Sequence, residues 1–127
     1  ARECQELQRL AISGDQRWVA IGCDKPELAL WDLANDAQLW TVKAHEGVGG
    51  DGFYGNISDV SFAPYGALLA SAGYDGAIRL WDAESRAPVA RLAGHRDVVI
   101  EIAWSPDGRW LASISYDGTL RLWGMKP

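Results

Sequence analysis

The sequence predicts an all-β protein built from one repeated, four-stranded antiparallel unit, on three observations. First, residues 57–82, ISDVSFAPYGALLASAGYDGAIRLWD, recur without a gap as residues 99–124, VIEIAWSPDGRWLASISYDGTLRLWG. The shift of 42 residues, from Trp81 to Trp123, lays Val60 on Ile102, Phe62 on Trp104, Pro64 on Pro106, Gly66 on Gly108, Ser71 on Ser113 and Tyr74-Asp75 on Tyr116-Asp117. Second, a weaker copy lies upstream at a shift of 50 residues, from Trp31 to Trp81. It lays Leu7, Leu10, Ile12, Val19, Ala20, Leu28 and Leu30 on Ile57, Val60, Phe62, Leu69, Ala70, Ile78 and Leu80. Third, the apolar runs are short and bounded by turn residues, and no window carries a 3.6-residue apolar period beyond a turn or two.

Each element follows from that pattern. In the first unit, 7–13 and 17–22 are apolar-alternating runs broken by Gly14-Asp15, 27–31 follows Lys25-Pro26, and 37–42 follows the turn at 33–36. The second unit reads 57–62, 67–72, 77–81 and 88–92, with turns at Pro64-Tyr65-Gly66, Asp75-Gly76 and 83–86. The third reads 99–104, 109–114 and 119–123, with no fourth run left for an outer strand. The units span about 3–43, 45–92 and 95–124, and the longer upstream shift places a Gly-rich insertion at 46–55 in the second. Repeats of this period that end in Trp-Asp mark the blades of a β-propeller, strands running from the axis outward.

Composition sets the outer limits. A chain of 127 residues, 48% hydrophobic and 23% charged, can bury a core. Twelve basic against seventeen acidic side chains, net −5, give no basic footprint for phosphates or anionic lipid, so neither nucleic acid nor a membrane is an expected partner. No apolar run is long enough to span a bilayer, and the opening ARECQELQRL has no signal-peptide core. Cys4 and Cys23 have no metal-ligand spacing and read as free thiols of a reducing compartment, which gives the expectation of a cytoplasmic protein.

Gly94-His95, Ser105-Pro106-Asp107-Gly108, Leu111-Ala112-Ser113, Asp117-Gly118 and Leu122-Trp123 resemble the WD-repeat β-propeller pattern, and the resemblance covers nearly the whole chain. It implies a buried hydrogen-bond network in each blade: Trp81, Ser71, His45 and Asp75 in the second, Trp123, Ser113, His95 and Asp117 in the third. In the first blade Glu3, Ile21 and Lys25 stand where His, Ser and Asp belong, and only Trp31 is kept.

Serine, histidine and aspartate together invite a hydrolase reading. Both histidines are instead accounted for at equivalent places of two repeats, whereas catalysis needs one asymmetric constellation. No catalytic, cofactor or metal residue is therefore expected, and turn aspartates such as Asp15, Asp51 and Asp107 serve local backbone bonding. Trp31, Trp81, Trp104 and Trp123 read as core, Trp18 and Trp110 as packing between sheets, and Trp40 as a candidate for exposure.

The expected function is a non-catalytic scaffold that binds proteins or peptides. Tyr74 and Tyr116 precede the turn aspartates, a position the resemblance puts on the top face at the channel mouth; they either anchor a partner or cover the adjoining blade. Val98 and Ile100 join them as candidates, and Phe53 and Tyr54 of the insertion are either contact residues or part of a tolerated surface loop. The competing reading is a sensor or autoinhibitory module of a larger protein. Three blades do not close a ring, so the arc is expected to be completed by a second copy or by other segments of a longer chain, with Leu7, Val19 and Leu28 bare on one side and Ile102, Leu111 and Leu120 near the other.

Overall fold

Alternating apolar residues between glycine- and aspartate-containing turns produce eleven strands among the described residues of the computed structural model, which are 7–23, 27–45 and 57–125, the side chains of 7, 8 and 23 excepted. Cys4, the Cys23 thiol, Glu3, Lys25 and the insertion with Phe53 and Tyr54 lie outside them. The first sheet joins β1 (Leu7–Ile12), β2 (Trp18–Cys23), β3 (Glu27–Asp32) and β4 (Ala37–Lys43) in that order. The second joins β5 (Ile57–Phe62), β6 (Leu68–Gly73), β7 (Ala77–Asp82) and β8 (Pro88–Ala93). The third has three strands, β9 (Val99–Trp104), β10 (Trp110–Ser115) and β11 (Leu120–Gly124). Every pairing is antiparallel, and the three sheets form an open arc of blades with β1 against β5 and β5 against β9 at its inner edge.

The turns repeat as closely as the strands. Leu33 N–H to Arg17 C=O, Ala83 N–H to Ala67 C=O and Met125 N–H to Arg109 C=O close the same corner in each sheet. Gly66 and Gly108 sit there with φ of 77° and 73°, in the left-handed region that costs glycine nothing. At the matching position of the first sheet stands Gln16, with φ of 64°.

Period-two alternation gives each sheet two distinct faces, and the second sheet shares its faces between two neighbours. Trp18, Ala20, Leu28 and Leu30 of the first sheet meet Val60, Phe62, Leu69 and Trp81 of the second, with Trp18 stacked on Phe62 at 6.3 Å between centroids. The other face of the second sheet, Ala70, Ala72, Ile78 and Leu80, meets Val99, Ile102 and Leu111 of the third. Polar staples cross the same seams: Arg9 Nε donates to the Ser58 carbonyl at 2.8 Å, Asp59 Oδ2 accepts from Ile102 N–H at 2.9 Å, Trp40 Nε1 donates to the Ala83 carbonyl at 2.9 Å and Trp104 Nε1 to that of Ser61 at 3.2 Å.

Three sequence expectations change. Leu28, Ile102 and Leu111 are buried inside the arc; Leu120 is bare as expected, and the outward faces otherwise carry Leu10 and Ile12 on β1 and Ile114 and Leu122 on the third sheet. A choice of strand parity off by one residue moves a whole apolar set to the opposite face. Trp110 is 50% exposed although its repeat partner Trp18 is 3% exposed, because Trp18 faces the next sheet and Trp110 faces outward. Trp40 is half-buried, held across the seam by its bond to Ala83.

Candidate functional site: the blade networks and the rim cavity

The second sheet brings four separated residues into one buried chain of hydrogen bonds. Trp81 Nε1 donates to Ser71 Oγ at 3.1 Å, and Ser71 Oγ lies 3.0 Å from His45 Nε2. The other ring nitrogen, Nδ1, faces Asp75, 3.1 and 3.3 Å from its two oxygens. The Asp75 carboxylate can only accept, so Nδ1 carries a proton, and with the neutral imidazole Nε2 accepts the serine hydroxyl while that oxygen accepts the indole N–H. In the third sheet Trp123 Nε1 reaches Ser113 Oγ at 3.0 Å, His95 Nε2 lies 2.7 Å from the same hydroxyl, and Nδ1 lies 3.2 Å from Asp117. Thr119 and the Arg96 amide also donate to Asp117; with the Thr119 hydroxyl as the largest cause, they hold its carboxyl below the ordinary range. In the first sheet Ile21 offers no hydroxyl, and the Trp31 indole donates to Asp36 at 3.2 Å.

The order Asp, His, Ser matches that of a hydrolytic triad, yet burial decides what it can do. Ser71 is fully buried, Ser113 is 1% exposed, and each hydroxyl already accepts an indole N–H. A nucleophile needs a site about 3 Å away where a reacting atom can sit, and burial with the indole and imidazole bonds already surrounds each of these hydroxyls. What the arrangement does is satisfy buried polar groups and tie the second and third strands of each of these two sheets to the loop entering it. Among the described residues no group of three or more His, Cys, Asp or Glu side chains is placed to hold a metal ion.

A different feature opens at the end of the sheets that carries the β6–β7 and β10–β11 turns. Each inner strand has a β-bulge near its start, between Leu7 and Arg9, between Ile57 and Asp59, and between Val99 and Glu101. The bulged residues Ser58 and Ile100 are thereby turned toward this rim, the usual consequence of an extra residue in one strand of a pair. Around them a cavity of about 110 Å³ is lined by Arg9, Ile57, Ser58, Tyr74, Val98, Ile100 and Tyr116. Tyr116 is 70% exposed at its edge, and its amide is anchored to the Val98 carbonyl at 3.1 Å. Four candidates from the sequence, Tyr74, Val98, Ile100 and Tyr116, thus share one cavity.

Arg9 and Ser58 line it without having been anticipated. The signal was present: Arg9, Asp59 and Glu101 occupy one repeat position, and Ser58 stands where the third sheet has Ile100. Beyond Arg9, a second cavity of about 310 Å³ is lined by Arg9, Asp59, Ile100 and Glu101. Burial holds the Asp59 carboxyl above the ordinary range, partly offset by the amides of Ile102 and Val60. Another depression, about 550 Å³ between Arg17, Trp18, Trp40 and Glu84, opens at the opposite end of the sheets.

Stacked antiparallel sheets with a Trp-Ser-His-Asp network in two of them define a segment of a β-propeller. The family model for the WD domain, G-beta repeat, matches residues 37–82 and 86–124, and the chain belongs to this WD-repeat family. Repeats of the family are in general non-catalytic scaffolds for protein interaction. The chain is 29% identical over 101 residues to the U3 snoRNP-associated protein-like EMB2271 of Arabidopsis thaliana, a match covering 80% of this chain and 19% of that protein. It is 32% identical over 89 residues to the ribosome biogenesis protein WDR12 homolog of Chlamydomonas reinhardtii, covering 66% and 18%. To protein HIR1 of Candida albicans it is 28% identical over 106 residues, covering 71% and 11%. The chain thus spans less than a fifth of the length of these relatives.

Proposed function

We propose that this chain is a non-catalytic interaction scaffold that docks protein or peptide partners at the rim carrying Tyr74, Tyr116, Val98 and Ile100, with Phe53 and Tyr54 of the insertion as further contacts. The observation that supports it is the cavity these rim residues line, with a largely exposed tyrosine at its edge. Tyrosine is suited to the role because a large, stiff, amphipathic ring loses little entropy on binding. The test replaces Tyr116 by Ala and compares the proteins captured by tagged parent and variant. Loss of specific partners with an unchanged melting temperature is expected; an identical partner set would reject the reading.

The bare faces extend the proposal. Leu10 and Ile12 stand at the positions of Val60 and Phe62, which pack inside the arc, and Leu120 and Leu122 at those of Ile78 and Leu80, which are buried. Further blades, from a second copy or from other segments of a longer chain, fit both faces. The short share of each relative that this chain spans favours a second reading as well, that of a sensor or autoinhibitory module in a larger protein. An extended open reading frame decides it.

A further inference from the structure

We propose that the rim cavity is an acid-selective subsite, which takes the carboxylate side chain of a Glu or Asp residue from an extended partner peptide and holds it between the Arg9 guanidinium and the Ser58 hydroxyl. The inference deepens the docking role proposed above and rests on it. Two observations carry it, one of charge and one of hydrogen bonding.

Among the described residues, Arg9 is the only charged side chain lining the cavity with Tyr74 and Tyr116. Its Nε is committed to the Ser58 carbonyl at 2.8 Å, which fixes the plane of the guanidinium, and among the described residues it forms no ion pair with a carboxylate. The terminal amino groups of a fork held in this way match the two oxygens of a carboxylate. Asp59 lines the adjoining cavity with Arg9 and feels its charge, but the two form no ion pair, and the Asp59 oxygens accept the Val60 and Ile102 amides, each at 2.9 Å.

Ser58 supplies the second observation. The residue is 9% exposed and lines this cavity, and among the described residues its buried Oγ has no hydrogen-bond partner. Buried hydroxyls are normally paired, so an unpaired one on a residue that lines a cavity beside a cation marks a place where a ligand acceptor completes the bonding once the hydroxyl rotates toward it. The β-bulge that turns Ser58 to the rim is shared by all three inner strands, but its partner in the third sheet is the apolar Ile100. A carboxylate uses both groups: two oxygens for the fork and a spare lone pair for the hydroxyl. A lysine side chain would meet Arg9 at close range, and the acidic pair Asp59 and Glu101 that would attract it lies beyond Arg9 in the adjoining cavity.

The experiment uses the chain as it stands and three fluorescein-labelled, terminally capped octapeptide pools. These carry Glu, Gln or Lys at a fixed central position among small neutral residues. Fluorescence anisotropy should show the Glu pool binding at least about tenfold more tightly than the Gln pool, with the advantage shrinking as salt is raised. Arg9→Gln should remove the advantage. Ser58→Ala should weaken the Glu pool about threefold or more while melting no lower than the parent, since it deletes an unpaired buried hydroxyl; a purely structural serine would show the reverse. Equal binding of the Glu and Gln pools, abolished by Tyr116→Ala, would overturn acid selectivity and leave rim docking standing. No binding of any pool would overturn both. Tightest binding of the Lys pool would assign the rim to Asp59 and Glu101 instead, and displacement of the Glu pool by inorganic phosphate at the peptide's own Kd would make it a phosphate site; either result overturns the proposal.

Discussion

Replacing His45 by Ala tests whether the blade network stabilises the fold, and the structure sets the size of the effect. The imidazole is buried and bridges Ser71 and Asp75. Without it the Ser71 hydroxyl still accepts the Trp81 indole but loses the protein acceptor for its own proton. An unsatisfied buried group costs about 1–3 kcal/mol. Asp75 loses one donor and keeps the Ala77 amide at 3.0 Å, and the vacated ring volume adds a cavity cost. Together these give about 2–4 kcal/mol, a large part of a usual margin of about 5–15 kcal/mol. His95→Ala should cost less, about 1–2 kcal/mol, because Asp117 retains Thr119 and the Arg96 amide and its side chain is 11% exposed. Urea unfolding of the whole chain gives both values from midpoint shifts at constant slope. A double-mutant cycle with Ser71→Ala should show coupling of about 0.5–2 kcal/mol. A His45→Ala cost below about 0.5 kcal/mol, or a larger loss for His95→Ala, would refute the reasoning.

Gln16→Gly should raise stability by about 0.5–1 kcal/mol in the same assay, because the relief of a left-handed side-chain residue exceeds the extra entropy glycine loses on folding. The Asp117 carboxyl is held below its ordinary value of 3.8 in the folded state, so its contribution is complete above that pH and is lost as pH falls through the lower folded value. Acid titration of stability should therefore fall less steeply below about pH 4 in Asp117→Asn than in the parent, and parallel curves would contradict it. On the outward face of the third sheet, Leu120→Lys with Leu122→Glu should reduce self-association in light scattering without lowering the melting temperature. A parent that is already a non-associating monomer would argue against covered faces.

Strand positions were legible because each rests on local alternation repeated three times: β5, β6, β9 and β10 begin within a residue of their sequence-derived starts. The network was legible for the same reason, since Ser71 and Ser113 stand in register on β6 and β10 with the tryptophans of the next strands. What escaped was relational. Whether Leu111 or Leu122 faces outward depends on which neighbour each strand face meets, and a repeat with apolar residues at both parities carries no mark of it. Trp110 and Trp18 are the same residue at the same repeat position, yet one is exposed and the other buried, a difference no local pattern encodes. The bulges escaped too, because an unpaired residue in a strand is visible only in the register with its partner.

The way the repeats differ separates the residues that build the arc from those that give it an individual surface. Where the copies agree, as at Leu69 and Leu111, Ser71 and Ser113, or Trp81 and Trp123, the side chains are buried or point into a seam, and a change in one would disturb packing in any protein with this architecture. Where they disagree along the inner strands, the disagreement is chemical: Arg9 against Asp59 and Glu101, and Ser58 against Ile100. These positions lie at the bulges and along the inner edge, where a substitution costs little core packing. Arg9 and Asp59 bind the neighbouring sheet through backbone groups, so their charges can vary while the seams stay joined. A scaffold assembled from one repeated blade can acquire a particular partner only by breaking its own symmetry, and among the described residues the sharpest break in charge and polarity along the inner strands lies beside the tyrosine-lined rim.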